Sequence, residues 1–329
     1  MMTASPAAGP DSPGTGLKPA QAERQLAGAR LVVLGGSGFV GRALADRLAA
    51  RQPGLRMVVP TRRAAHATPL RPLPTVDVIE TDIHDPARLR RLLAGADAVV
   101  HLVAILHGSA AEFERVHVEL PRRLAAACRD AGVRRLVHVS ALGVSATAPS
   151  NYLRSKAAGE AVLREAGLDL SVLRPSVIFG AEDRFIRLFA QLQAAAPVLP
   201  LAGSTARFQP VWVGDVAAAI EACLVQPATI GQVIECAGPR VTTLSELVRL
   251  AGRWSGHERM QIALPDTLAR VQAWVLEHAP GPTLMSRDNL ASMQVPNVAS
   301  GQLPGLATLG IEPTPIEAVM PAVLARARR

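Results

Sequence analysis

Lysine is almost missing from this 329-residue chain: of 35 cationic side chains only Lys18 and Lys156 are ammonium groups. A single tyrosine, Tyr152, is present, and aromatic residues together make up 3% of the chain. So few rings exclude the stacked platforms that hold single-stranded nucleic acid. Cysteine is scarce too. Cys128, Cys223 and Cys236 are odd in number and lack CxxC spacing, which excludes a disulfide framework and a zinc ribbon and leaves each as a small core residue. No HExxH segment occurs, so no metal is expected, and Ser145 and Ser176 lack the glycine-flanked elbow of a hydrolase nucleophile. Long apolar runs are absent: the longest, Ala98 to Leu106, is interrupted by His101 and falls far short of the ~20 residues of a spanning helix. Met1 to Gly28 has no apolar segment of the export type, and its Pro, Gly, Ala and Ser content predicts a disordered tail over residues 1–28. The expectation is a cytoplasmic protein.

What is present is apolar and basic. Residues of hydrophobic type make up 49% of the chain, enough for a sizeable core, and the formal net charge is +8. Pairs such as Arg62–Arg63, Arg122–Arg123 and Arg134–Arg135 spread that charge along the whole chain. Without a basic arm or a nucleic-acid motif the charge does not point to DNA or RNA. It leaves anionic small molecules and an acidic lipid surface as partners.

Apolar runs and helical patterns alternate. Strands are predicted at Leu31–Leu34, Leu55–Val59, Val76–Glu80, Ala98–Val103, Leu136–Val139 and near Val172. Helices are predicted at Phe39–Arg51, Pro86–Leu93, Glu112–Ala131 and Asn151–Ala166, with a proline-rich loop up to Pro74. Strands this apolar, separated by helices, imply a parallel sheet covered on both faces: an α/β, Rossmann-type, doubly wound sheet with a smaller C-terminal lobe. Residues 29–180 form the dinucleotide-binding domain in this reading. Residues 181–329 complete the sheet and form the substrate or partner site.

The first strand runs into Gly35-Gly36-Ser37-Gly38-Phe39-Val40-Gly41. Glycines at 35, 38 and 41 permit a tight turn and close approach of backbone N–H groups to a pyrophosphate at a helix N-terminus. An NAD site places an acid after the second strand to hold the ribose diol. Here the chain reads Val59-Pro60-Thr61-Arg62-Arg63, with no acid until Asp77. A guanidinium suits a 2′-phosphate, so NADP(H) is the expected cofactor and NAD(H) the alternative.

The two scarce residue types meet in Tyr152-Leu153-Arg154-Ser155-Lys156. Four residues apart on a helix, the phenol and the ammonium share a face. The ammonium is expected to lower the phenol's pKa and ready it for proton exchange with a substrate oxygen.

GGSGFVGR, VHVS at Val137–Ser140, YLRSK and LRPSVIFG at Leu173–Gly180 resemble an extended or atypical short-chain dehydrogenase/reductase. More narrowly, YLRSKAAGE, RPSVIFGAEDRF and FQPVWVGDVA are similar to bacterial relatives of the nucleotide-binding accessory subunit of mitochondrial respiratory complex I, which are NAD-dependent epimerase/dehydratase-like. The likeness runs from about Arg30 to the C-terminus. It implies that Gly35, Gly38 and Gly41 bind the pyrophosphate, and that Asp82 and Ile83 sit near the adenine. His101, Leu102, Val103 and Ala104 would flank the cofactor, Pro175 would line the nicotinamide, and Asp215 would cap a helix. Tyr152 would be the acid/base and Lys156 would hold the nicotinamide ribose. Two positions depart from the pattern. Ala141 stands where relatives carry a Ser or Thr hydroxyl, so Ser140 is the candidate donor, and His117 stands where many have Asn. His84, His107 and His138 read as satisfied core or surface residues.

Beyond residue 181 a helix is predicted over Glu182–Ala196 and a strand over Val233–Cys236. Leu264–His278 carries Leu264, Leu268, Val271, Trp274 and Val275 as an apolar stripe, with Arg270 and Glu277 off it. The stripe is expected to pack on the core. With the basic end Arg326-Ala327-Arg328-Arg329 it offers a second fate, peripheral contact with the inner face of an anionic membrane. Two functions follow: an oxidoreductase for a small or lipid-derived substrate, or a non-catalytic nucleotide-binding accessory protein for respiratory or quinone-pathway partners.

Overall fold

The computed structural model describes residues 26–281 and 283–326, so most of the proline-rich tail, Lys18 and the last three residues lie outside the described residues. Seven parallel strands form the central sheet in the order β11-β6-β5-β4-β1-β2-β3. They are β1 (Arg30–Leu34), β2 (Arg56–Thr61), β3 (Val76–Glu80), β4 (Ala98–His101), β5 (Arg135–Val139), β6 (Asp169–Pro175) and β11 (Val233–Cys236). Successive strand residues point to opposite faces, both covered by helices, which is why apolar residues stand at adjacent positions in strands such as β1 (Leu31, Val32, Val33 and Leu34). Leu31, Val33, Val100 and Val137 pack with Leu44 and Leu48 of α1 (Phe39–Arg51) on one face. Val32, Leu34, Val99 and Leu136 pack on the other with Leu89 of α2 (Pro86–Leu93) and Leu124 of α4 (Leu120–Ala131). Strand order reverses between β1 and β4, the place where doubly wound sheets bind ligands.

Local signals explain most ends. Asp85 accepts from the N–H groups of Ala87 and Arg88, and Pro86 opens α2. The helix expected over Glu112–Ala131 is interrupted. It begins as α3 (Ala110–Glu114), passes through a π-helical turn at Arg115–Glu119, and resumes as α4. At this turn α5 (Asn151–Arg164) approaches closely: a Cβ on its Gly159 would overlap the His117 carbonyl oxygen. Gly159→Ala should therefore destabilise the protein by about 3 kcal/mol, the upper range for overpacking. Chemical unfolding would check this, and an unchanged midpoint would contradict the close approach. Glu160, the next residue, forms a bidentate pair with Arg174 of β6 at 3.0 and 2.7 Å.

The remaining elements form the lobe beside the sheet. Three short pairs join β7 (Ile178–Phe179) to β10 (Val211–Trp212), β8 (Val198–Leu201) to β13 (Met260–Ala263), and β9 (Arg207–Phe208) to β12 (Thr242–Thr243). One helix, α7 (Val213–Val225), instead packs on the sheet beside α1 through Val216, Ile220 and Cys223; around the short pairs lie α6 (Phe185–Ala195), α8 (Leu244–Ser255), α9 (Asp266–His278), α10 (Arg287–Ser292) and α11 (Ile316–Arg326). Their core centres on Phe179, Ile186, Leu247 and Met320. Asp215 does not cap α7. It lies in the first turn and accepts from the Thr314 N–H (2.7 Å) and hydroxyl (3.0 Å), tying down the chain that enters α11.

Asp183, from the GAEDRF segment, is 2% exposed. Its Oδ1 accepts from the N–H groups of Phe185 and Ile186 at 2.6 and 2.9 Å, while Oδ2 is buried without a partner among the described residues. Burial pushes its carboxyl up to about 6 despite those N–H bonds. Between roughly pH 4 and pH 6 the folded state holds a proton that the unfolded chain has released, so stability from this residue falls as pH rises through that window. Asp183→Asn keeps the acceptor and removes the buried charge. It should raise unfolding stability at pH 7 by up to about 3 kcal/mol, with little gain at pH 4. Urea titrations at the two pH values measure the difference, and an equal effect at both would contradict the assignment.

Candidate functional site

A cleft of about 370 Å³ opens at the C-terminal ends of β1 to β4. Its floor is the glycine turn. Gly35 has φ +83°, and a Cβ there would lie 3.2 Å from the Leu102 carbonyl carbon and the Val103 nitrogen. A Cβ on Gly36 would come within 2.8 Å of Val59, and one on Gly41 would overlap the Gly36 backbone. These glycines let the turn pack against β4 and against itself. Gly38 differs. It is the N-cap of α1 with φ −82°, and a Cβ there would meet only Gly35 O, at 3.2 Å. The α1 N-terminus has no side-chain cap and no acid in its first turn, so its free N–H groups favour an anion. Ser37 lines the cleft, Val40 packs into the core, and the Phe39 ring lies against Gly180.

Of the residues expected around the nucleotide, Arg62, Ile83, Val103 and Ala104 line the cleft. Leu102 backs Gly35. Arg63 does not line the cleft; its carbonyl accepts from the Thr61 hydroxyl at 3.0 Å. Asp82 lies between two lining residues, and its carboxylate accepts the His84 N–H at 2.9 Å. Sequence reasoning missed His66 and Arg115, which share the cleft with Arg62. It also misread His84 and His107: both line the cleft, and each has a buried Nδ1 without a partner among the described residues. The one acid in the lining, Glu112, is held by the Ser109 N–H and hydroxyl, which keep its carboxyl below the usual range. With Arg62 and Arg115 against a single acid, the cleft lining is basic and suits an anionic dinucleotide.

His101 does not flank this cleft. It is buried, stacked on His138 at 5.0 Å, with the two Nδ1 atoms 3.0 Å apart and both Nε2 atoms unpartnered among the described residues. Pairing of His101 with His138 in the β4–β5 register puts them side by side. His138 is thus a core residue, but not a satisfied one.

Tyr152 and Lys156 lie on α5. Asp288 of α10 accepts from the N–H groups of Asn151 (2.6 Å) and Tyr152 (3.0 Å), fixing this helix start. The Tyr152 ring stands edge-on to His117 and Phe113. His117 accepts from the Ile105 N–H at Nε2 (3.0 Å), so the neutral ring carries its proton on Nδ1 and donates to the Ser155 hydroxyl (2.8 Å). That hydroxyl donates to Tyr152 O. Lys156 is buried and donates to the Val139 carbonyl at 2.8 Å, which brings it to the end of β5 beside Ser140. Ser140 Oγ is buried without a partner among the described residues, and Ala141 next to it is buried too. Pro175 is buried, and its carbonyl accepts from the Leu142 N–H.

One expectation is reversed. Burial pushes the Tyr152 phenol up to about 12, and it brings Lys156 down to about 8 although Glu160 acts the other way. The ammonium is committed to Val139, and desolvation prevails at the phenol.

Comparison with known proteins agrees with this fold. A subunit of rat respiratory complex I, NADH dehydrogenase [ubiquinone] 1 alpha subcomplex subunit 9, is 31% identical over 313 residues, covering 92% of this chain and 81% of that protein. The ceramide reductase of Caulobacter vibrioides is 34% identical over 252 residues, 74% of this chain and 78% of the relative. A dTDP-glucose 4,6-dehydratase from Streptomyces venezuelae, solved with NAD, superposes with a TM-score of 0.69 at 24% identity over 91% of this chain and 97% of its own. With residues 31–237 matching the NAD dependent epimerase/dehydratase family, the chain belongs to that family.

Proposed function

We propose that the protein is an NADP(H)-dependent oxidoreductase acting on the carbonyl or hydroxyl of a lipid-derived substrate. The observation that carries this reading is the convergence at the end of β5: a buried, unpartnered Ser140 hydroxyl adjoins the Val139 carbonyl that holds Lys156, one helical turn from Tyr152. The turn Gly35–Gly41 would hold the pyrophosphate and Lys156 the nicotinamide ribose; a bound nicotinamide supplies or accepts the hydride. Tyr152 gives or takes the proton at the substrate oxygen. Ser140 donates a hydrogen bond to that oxygen, a task the Ala141 methyl cannot perform. His117 and Ser155 hold the backbone of Tyr152 in place. The likeness to a ceramide reductase supports a lipid-like substrate.

Cofactor choice rests on Arg62 and Arg115 in the cleft. Arg62→Ala should weaken NADPH about 10- to 100-fold, the value of a charge-assisted bond, and leave NADH nearly unchanged. Calorimetry decides the matter, and equal affinities of the unaltered protein for NADPH and NADH would sink the preference.

A second reading has its own support. The phenol sits at about 12, Ala141 replaces a hydroxyl, and a respiratory-complex subunit is among the relatives. In that reading the dinucleotide stabilises a fold that docks on respiratory or quinone-pathway partners. Incubating NADPH with long-chain keto lipids separates the two: consumption of NADPH favours the enzyme, and tight binding without consumption favours the accessory protein.

A further inference from the structure

The apolar stripe of α9 does not pack on the core. Ala269 and Ala273 form its buried face, whereas Leu268, Val271, Trp274 and Val275 are each at least half exposed, at 53, 58, 51 and 50%. They recur at helical spacing along one side. Just upstream, Met260 and Ile262 of β13 are exposed at 65 and 47%. A soluble monomer seldom presents an apolar face of this kind without a use for it.

Charge selects the occupant. From Arg249 to Asp288 the chain has five arginines and four acids; Glu258 and Glu277 are paired with Arg253 and Arg287, and Asp288 is engaged by the N–H groups of Asn151 and Tyr152. The whole chain carries +8, so a second copy would bring like charge against like. Trp274, its ring beside His278, has the amphipathic character that favours the headgroup level. With 13 residues α9 is too short to span a bilayer, and among the described residues no helix is long and apolar enough to do so. It suits a position in the plane of the interface.

We propose that the exposed face of α9 and β13 docks on an anionic lipid bilayer and brings the Tyr152 site to the membrane surface. The connection to the site is direct. The segment after α9 leads into α10, where Asp288 holds the N–H groups of Asn151 and Tyr152 and Asn289 donates to the Leu106 carbonyl at 3.3 Å. Leu284 on this strap is exposed, as is Leu106 in the loop after β4. Docking deepens the lipid-substrate reading: an amphiphile would reach the site from the bilayer without crossing water.

The test is co-sedimentation of the full chain with phosphatidylcholine vesicles, with and without phosphatidylglycerol. The protein should bind the anionic vesicles and release with added salt. The double variant V271E/W274E should lose at least about tenfold in vesicle affinity, and Arg270→Glu a few-fold. Both variants should keep the parent's melting temperature and NADPH affinity. Failure of the parent to bind anionic vesicles, or equal binding by V271E/W274E, would overturn the proposal. So would a dimer in sedimentation equilibrium that the double variant dissociates. A lack of turnover on any ketone would refute the substrate reading while leaving vesicle binding to be judged on its own result.

Discussion

Gly38→Val should give a folded protein that has lost its dinucleotide, with affinity down at least about 100-fold. The two effects separate because of where Gly38 sits. Its φ of −82° and ψ of 179° are open to any residue, and only the Gly35 carbonyl oxygen lies near its would-be Cβ. A side chain here therefore needs the Gly35 carbonyl to give by only a few tenths of an ångström, and a valine would project where the pyrophosphate would approach the α1 N-terminus. Gly41→Val is the control. There the added carbon overlaps the Gly36 backbone, so the turn itself must break and stability should fall with affinity. The measurement is the rise in melting temperature on adding NADPH, which follows mass action. A folded Gly38→Val protein showing the parent's rise would remove the pyrophosphate from this turn.

Much of the fold is legible in the chain because its signals are local. Val76–Glu80, Pro86–Leu93 and Val233–Cys236 have the bounds expected from apolar runs and a proline at the first helical position. The glycine turn is equally plain, since three close approaches demand three missing side chains. What escaped depends on residues distant in sequence. The π turn that carries His117 lies against Gly159, about forty positions away, and no helical periodicity encodes that contact. The contact of His101 with His138 needs the β4–β5 register. Arg115 enters the cleft through the same π turn.

The α9 stripe is amphipathic, as its periodicity indicates, but it faces away from the core. Periodicity locates an apolar face but not what covers it. The small pair Ala269 and Ala273, four apart, was the available sign that the helix approaches the body with its other side. Likewise, the Tyr152–Lys156 spacing placed both groups on one helix but could not show that the ammonium would bond to Val139, or that burial would raise the phenol.

Tyr152→Phe decides between the two functions. Losing one oxygen leaves the ring among His117 and Phe113, so folding and NADPH affinity should stay near the parent's values. Lys156→Met, by contrast, should weaken the nucleotide under either function, because the ammonium would hold the ribose whatever the chemistry. The direct measurement is NADPH-dependent turnover of a keto lipid by Tyr152→Phe, alongside complementation of a deletion strain by the same variant. As an oxidoreductase using Tyr152 for proton transfer, the protein should lose about 10²- to 10⁴-fold in turnover and fail to complement, with binding intact. Full complementation and undiminished turnover by Tyr152→Phe would contradict it.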